Sequence, residues 1–156
     1  MRLRPLATAA AVIALAAPLS SCGFDYATER DYTPGSGSNN RDGIVDVLSA
    51  VVVSASEGSG TFVASLSNND VDDEQTFTGV AGEDSTVQAA DFEPIAVAPG
   101  GLVNLADPAA DIVLTGDFAA GDFVPLSIDF GNGERITMNV PVVRDDTGYW
   151  EGMDAS

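Results

Sequence analysis

Alternating apolar and polar residues predict a series of β-strands between residues 44 and 143. The clearest segments are Phe123–Phe130 and 136–143, in each of which every second residue is apolar. The residues between them include Asn132-Gly133, a pair that tolerates the positive φ of a tight hairpin turn. Further strands are predicted at residues 44–53, 61–67, 75–80, 95–98, 102–105 and 111–115. The pattern therefore indicates a chain of short strands with a hairpin near its carboxyl end.

The same pattern indicates an all-β fold. No part of residues 44–143 has a sustained 3.6-residue period, and 16 Gly and eight Pro interrupt the chain. Apolar residues on one side of each strand predict sheets with one dry and one solvated face. We therefore expect a Greek-key β-sandwich of about seven to eight strands. Its inner faces are expected to carry Leu48, Phe62, Leu66, Phe77, Ile95, Val97, Val103, Leu105, Leu126, Ile128, Phe130, Met138 and Val140.

The first 22 residues have the organisation of an export signal. Arg2 and Arg4 precede an apolar stretch at residues 6–17, which is shorter than the roughly 20 residues of a membrane-spanning helix. The stretch is followed by Leu19-Ser20-Ser21-Cys22, which resembles the lipobox of bacterial lipoproteins, where the Cys thiol is alkylated with diacylglycerol. We expect a signal peptide at residues 1–21 and lipidation of Cys22. An ordinary secretory signal with a chance Cys is the alternative.

Changes in composition divide the rest of the chain into three parts. Residues 22–43 are rich in Gly, Ser and Asn and predict a lipidated N-terminus and flexible tether. Residues 44–143 form the predicted β domain, and residues 144–156 form an acidic tail. Trp150 in this tail either packs on the domain or hangs free. The predicted location is the extracytoplasmic face of the cell membrane, with the lipid on Cys22 as the membrane contact.

The composition excludes several classes of function. The chain has 24 Asp and Glu against six Lys and Arg, no His and one Cys, and its formal net charge is −18. A nucleic-acid binder and a polybasic membrane surface both need clustered cations, so neither is expected. Without His, the side chain used most often for acid–base catalysis is missing. We therefore expect no catalytic activity and no cofactor.

Residues 95–143 resemble the second half of the PCu(A)C-type periplasmic copper chaperones. The matching blocks are Pro99-Gly100-Gly101, Gly121-Asp122-Phe123-Val124-Pro125-Leu126 and Phe130-Gly131. The resemblance implies an immunoglobulin/cupredoxin-like sandwich. A lipobox, a short spacer and this domain together also resemble the LpqE-type lipoproteins of actinobacteria.

The resemblance also implies where a copper site would lie and which ligands it would need. In these chaperones His and Met hold copper, including a His-x-Met pair on the strand after the Gly-Gly turn. Asp111 stands at the implied His position and Val113 at the Met position, and the Met-rich segment corresponds to residues 87–90, which contain no Met. Because Cu(I) prefers sulfur and imidazole ligands, the implied site is degenerate and no metal ligand is assigned.

Two groups of carboxylates are further candidates for chemistry. The acidic run at residues 68–74 contains weak candidates for Ca²⁺ binding, although a solvated loop is favoured because charge runs usually lie at the surface. These candidates are Asp70, Asp72, Asp73 and Glu74. Asp107, Asp111, Asp117 and Asp122 would suit a glycosidase only if two of them lay ~5–9.5 Å apart. No nucleophile–base pair accompanies them.

These observations favour a non-catalytic function. We expect a lipid-anchored envelope module that binds another protein of the envelope through its loops or a sheet edge. The alternative is binding or delivery of copper or another divalent ion, in the manner of the PCu(A)C proteins. Saturable metal binding would distinguish the two.

Overall fold

The structure is a computed structural model that describes residues 37–146 and 148–156. The predicted signal peptide, Cys22 and most of the predicted tether lie outside the described residues. Across these residues, ten strands and one 3-10 turn, Gly148–Trp150, follow one another. The strands are β1 (Ser38–Asn40), β2 (Val45–Ser56), β3 (Ser59–Asn68), β4 (Gln75–Gly82), β5 (Val87–Ala89), β6 (Ile95–Val97), β7 (Leu102–Asn104), β8 (Ile112–Gly116), β9 (Phe123–Phe130) and β10 (Arg135–Arg144). The predicted all-β fold class is confirmed.

Seven of these strands close into a barrel. Their order is β2-β10-β9-β4-β5-β8-β3, and β3 pairs again with β2. The β2–β10 pair is parallel, whereas the other pairs in this ring are antiparallel. The three remaining strands add to the ring from outside, because β1 pairs with β2, β6 with β4 and β7 with β3. Ring closure leaves few free strand edges.

A single main core fills the barrel. Phe62, Phe77, Leu66, Leu126 and Ile128 are fully buried in it. The predicted inner positions on β3, β4, β9 and β10 are therefore correct, and Ile95, Val103 and Met138 pack against this core while remaining partly exposed. The β9 strand has the predicted bounds, and the turn that follows it joins β9 to β10 as an antiparallel hairpin.

Leu48 is the exception, because the inward face of β2 changes within the strand. Val45 and Val47 face the core before this point, and Ala50 and Val52 face it afterwards. Ser49 between them has a φ of +52°, and the register with β3 shifts between Leu48 and Val51. This β-bulge inserts an extra residue and reverses the alternation. The expectation that Leu48 faces the core is therefore wrong.

Two short strands were not predicted from the sequence. Strand β1 lies within the predicted tether, and its polar Ser-Asn-Asn sequence has no alternation to signal a strand. Strand β5 has only three residues, and one of them pairs with β4. The end of the segment predicted to be a tether is thus part of the sheet.

The acidic tail packs on the outside of the barrel. Trp150 and Met153 contact a second apolar cluster, formed by Val51, Val53 and Val63 on the outer face of β2 and β3. Strand β2 is consequently buried on both faces. Of the two possibilities for Trp150, the structure shows the packed one.

Candidate functional site

Strands β5 and β8 bring together the two segments at which the sequence resemblance implies copper ligands. Ala89 is opposite Leu114 and Val87 is opposite Gly116 in an antiparallel pair. The amide of Ala90 extends this pairing and donates to the carbonyl of Val113 at 2.8 Å. Residues 87–90 therefore lie directly beside Val113. We call residues 87–90 and 111–113 the β5–β8 corner.

Asp111 enters β8 from a tight loop that follows β7. The Ala110 amide donates to the Leu105 carbonyl at 2.9 Å, and Ala106 forms an isolated bridge with Ala109. Asp111 then adopts a φ of +49°, a left-handed conformation that Asp tolerates better than most residues. Its side chain is exposed. The loop thus presents one carboxylate at the outer side of the corner.

The β5–β8 corner offers few side chains that could ligate a metal ion, and none of them carries the soft ligand atoms that Cu(I) prefers. Val113 is half-buried and faces outward with Thr61, its partner on β3. Ala89 packs against the core, and Gln88 is exposed. The corner therefore contains one carboxylate and one amide side chain, with no sulfur or imidazole. Across residues 37–146 and 148–156, no three His, Cys, Asp or Glu side chains converge on a common point.

A small cavity lies next to this corner, between the β7–β8 loop and the tail. It has a volume of about 120 Å³, and Thr61, Ala106, Asp111, Met153 and Asp154 line part of it. The tail thereby contributes side chains beside Asp111. Sequence reasoning did not single out Asp154, because one acid among 24 carries no recognisable signal.

The acidic run after β3 forms a turn that is stabilised by its own polar groups. The Asp70 carboxylate accepts the amides of Asp72 at 2.9 Å and Asp73 at 3.1 Å. Asn68, which is only 2 % exposed, donates through its side-chain amide to the carbonyls of Asp73, Val97 and Ala98. The side chains of Asp72, Asp73 and Glu74 face solvent. This arrangement is that of a solvated loop.

The other carboxylates are distributed over separate loops. Asp117 and Asp122 line a groove at the β8–β9 loop together with Asp84, whereas Asp111 lies at the cavity near the tail. The Asp122 carboxylate accepts the Ala119 amide at 2.8 Å. A hydrogen bond from the Thr86 side chain, followed by one from its amide, lowers the pKa of Asp84. Asp84 and Asp122 therefore stabilise turns.

Comparison of the fold with solved structures identifies PCuAC domains. The apo PCuAC domain of PmoF2 superimposes with a TM-score of 0.55 at 18% identity, covering 70% of this chain and 98% of that domain. The copper-bound PCuAC domain of PmoF2 gives 0.54 at 17% identity, covering 69% and 98%. The apo PCuAC domain of PmoF1 gives 0.55 at 16% identity, covering 69% and 99%. The chain thus has a PCuAC-like, cupredoxin-like β fold.

Sequence comparison adds nothing to this structural likeness. No protein-family model matches the chain, and no curated protein matches it. Within the part of the chain that the structure describes, no helix has the length and apolar character needed to cross a membrane. Cys22 and the predicted lipobox lie outside that part.

Proposed function

We propose that the chain is a lipid-anchored, extracytoplasmic binding module that uses the PCuAC-like scaffold without catalysing a reaction. The observation that carries this proposal is the donor set of the β5–β8 corner. One carboxylate and one side-chain amide are supplied by Asp111, Val113 and residues 87–90, and their remaining side chains are apolar. On this proposal, the chain lacks the His and Met ligands that the resemblance to PCu(A)C proteins implies for copper.

The chemistry of copper supports this conclusion. Cu(I) is a soft ion that favours thiolate, thioether and imidazole ligands, and a carboxylate or amide oxygen is a poor substitute. Met138 lies on β10 and packs partly against the core, and Met153 packs against the outer valines. Met138 therefore lies away from the corner, whereas Met153 lines the cavity beside Asp111 and is the one thioether near it among the described residues. The residues present do not fit a copper site of the chaperone type.

The proposed anchor is consistent with the charge of the chain. Two acyl chains on Cys22 would exceed the single-chain threshold for stable membrane attachment. The excess of acidic residues, which loss of Arg2 and Arg4 with the signal would increase further, would repel anionic lipid headgroups and hold the domain away from the surface. The domain would then present its loops and outer strands to another protein of the envelope.

A Cu(I) competition titration under anaerobic conditions tests the proposal. We expect the processed chain to show no saturable one-to-one binding tighter than about 1 µM, which corresponds to about −8 kcal/mol. The Asp111→His/Val113→Met variant is the matched positive control, because it places one imidazole and one thioether at the same corner. It should bind Cu(I) at least about ten-fold more tightly than the parent.

A second candidate function, metal binding or delivery, is favoured by one specific observation. A solved neighbour of the fold is a copper-bound PCuAC domain. If this candidate is correct, the unmodified chain will bind copper or another divalent ion in a one-to-one complex, and Asp111→Asn will weaken the binding. That result would overturn the first proposal.

The anchor and the envelope partner need separate tests. Labelling with a radioactive fatty acid should mark the chain, and Cys22→Ser should abolish both the label and membrane fractionation. Crosslinking on intact envelopes should then give a discrete adduct with one protein. Loss of the adduct in the unanchored variant would show that the anchor positions the domain. An unmodified Cys22 thiol in the processed chain would refute the anchor.

A further inference from the structure

The carboxyl-terminal residues 148–156 cover an apolar strip on the outside of the barrel. The strip consists of Val51, Val53 and Val63, whose side chains are 0%, 0% and 6% exposed. Outward positions on a barrel strand are normally polar when they face water. Here Trp150 and Met153 of the tail pack against them, together with Ala106 and Val143. These tail residues therefore keep water from an apolar face that the strands themselves leave open.

Two carboxylates connect the tail to the rest of the domain. One oxygen of Asp154 accepts the Ala55 amide at 2.7 Å, and the other accepts the Thr61 hydroxyl at 3.1 Å. The Thr61 hydroxyl oxygen in turn accepts the Ala155 amide at 2.7 Å. Nearer the barrel, Asp145 accepts the Met153 amide at 2.9 Å. Asp154 thus joins the tail to both β2 and β3.

The barrel does not depend on these contacts for its closure. No part of residues 148–156 forms a strand of the ring. Among the described residues, the outer cluster and the main core have no residue in common. Because the two clusters lie on opposite faces of β2 and β3, the outer one can be uncovered while the inner one remains packed.

We propose that residues 148–156 form a detachable latch, which the Asp154 carboxylate holds closed over the apolar strip of β2 and β3. Opening exposes Val51, Val53 and Val63 and widens the cavity beside Asp111, while the barrel stays folded. The latch is a conformational device that changes which surface the domain presents.

The charge of Asp154 matters to the closed state. Burial raises the pKa of this carboxyl, but hydrogen bonds from the Ala55 and Ser156 amides, the Ser156 side chain and the Thr61 hydroxyl outweigh burial and lower it overall. A lowered pKa in the folded state stabilises the latch above pH ~4, where the unfolded carboxyl is ionised. This stabilisation is lost as the pH falls through the folded-state pKa.

Other charged groups surround the latch, and nearly all of them are acidic. Asp111 lines the same cavity as Asp154, and Asp145, directly after β10, accepts the Met153 amide. Glu57 lies in the groove beside Ala55. Arg144, which lines the same groove as Glu57, pairs with Asp146 at 3.5 Å. Their repulsion opposes closure, so the hydrogen bonds to Asp154 hold the latch closed.

The Asp154→Asn variant of the processed chain tests the latch. Trp150 is the only Trp in the sequence, so its fluorescence reports the latch alone. We expect its emission to shift to longer wavelength at neutral pH, and hydrogen exchange at the Ala55 amide to accelerate at least ten-fold. Exchange at core amides of β9 should not change. Glu151→Gln, which alters an exposed acid of the same segment, is the matched control and should leave both signals as they are.

Thr61→Val provides a second variant that keeps the size of the side chain and removes the hydroxyl. It should also accelerate exchange at the Ala55 amide, by a smaller factor than Asp154→Asn. If Trp150 emission and Ala55 exchange are unchanged in both variants, the latch does not exist as proposed. If β9 amides accelerate by the same factor as Ala55, the tail is an integral part of the folding unit, and the proposal is equally overturned.

Discussion

At the scale of single residues, Phe77 organises the interior of the barrel. Its ring lies 5.2 Å from that of Phe92, 6.1 Å from Phe130 and 6.4 Å from Phe62, measured between centroids. Tilted aromatic pairs at these separations stabilise a core beyond their buried area. Phe77 itself is fully buried on β4, so its ring joins residues from several strands.

Replacement of this ring should be costly. We expect Phe77→Ala to lower the free energy of unfolding by about 3–5 kcal/mol, because it removes apolar contacts and leaves a cavity. Urea denaturation followed by circular dichroism measures the change. Phe123→Ala is the matched control, since Phe123 is 67% exposed, and it should cost less than about 1 kcal/mol. Equal losses in the two variants would contradict the assignment of the core.

Residue patterns predicted the core where the alternation was regular. On β9, Val124, Leu126, Ile128 and Phe130 are buried as their spacing indicated. Leu48 was misplaced because a single left-handed residue, Ser49, reverses the alternation. A bulge depends on backbone conformation and tertiary contacts, and an isolated Ser gives no signal of either.

The candidate site, too, could be predicted from the sequence only in part. The resemblance to copper chaperones pointed to Asp111, Val113 and residues 87–90, and the structure places the last two side by side. The short strand β5 that achieves this has no apolar alternation of its own. The contribution of Asp154 to the neighbouring cavity could not be predicted, because it depends on where the tail packs.

At the scale of elements, β1 and the bulge in β2 form one unit. The Ser49 amide donates to the side chain of Asn39 at 2.8 Å, and the Ser38 hydroxyl donates to the Asn139 carbonyl on β10. Gly37, just before β1, has a φ of +127°. A Cβ at this position would lie 2.6 Å from the carbonyl carbon of Ser49, which is closer than real contacts allow.

A methyl group at Gly37 should therefore displace β1. We expect Gly37→Ala to expose the Ser49 amide to rapid hydrogen exchange. Gly121→Ala is the matched control, because its φ of +103° carries similar backbone strain while its Cβ would meet nothing within 4 Å. Gly121→Ala should lose about 1 kcal/mol of stability through backbone strain. Gly37→Ala should lose more because of the added clash, and it alone should lose the protection of Ser49. Retained protection in Gly37→Ala would contradict the packing of β1.

At the scale of the whole molecule, acidic charge dominates. The three Arg residues in the described part of the chain all have acidic partners: Arg41 with Asp46, Arg135 with Asp129 and Arg144 with Asp146. Arg135 donates a hydrogen bond to the Asp129 carboxylate, and this bond, together with the attraction between the two charges, raises the pKa of Arg135. The 24 Asp and Glu residues nevertheless far outnumber the six Lys and Arg, so repulsion between like charges exceeds attraction. Such repulsion opposes the compact state.

Added salt should therefore stabilise the fold. When NaCl is raised from about 10 mM to about 300 mM at pH 7, we expect the free energy of unfolding, measured with urea, to rise by about 1 kcal/mol. The reason is that screening weakens the repulsion between carboxylates. The same comparison near pH 4, where many carboxyls are neutral, serves as the control and should show a much smaller effect. A decrease in stability with salt at pH 7 would show that the few ion pairs outweigh the repulsion.

The central claim is that the chain has a PCuAC-like fold without a copper site at the β5–β8 corner. One spectrum can test both the fold and the site. One equivalent of Cu(I) is added to the isotope-labelled processed chain, and the amide signals of Ala89, Asp111 and Val113 are followed by nuclear magnetic resonance. The account predicts that dispersed β-type signals persist and that these three do not move. Shifts of all three that saturate at one equivalent would contradict it and identify the β5–β8 corner as a working copper site.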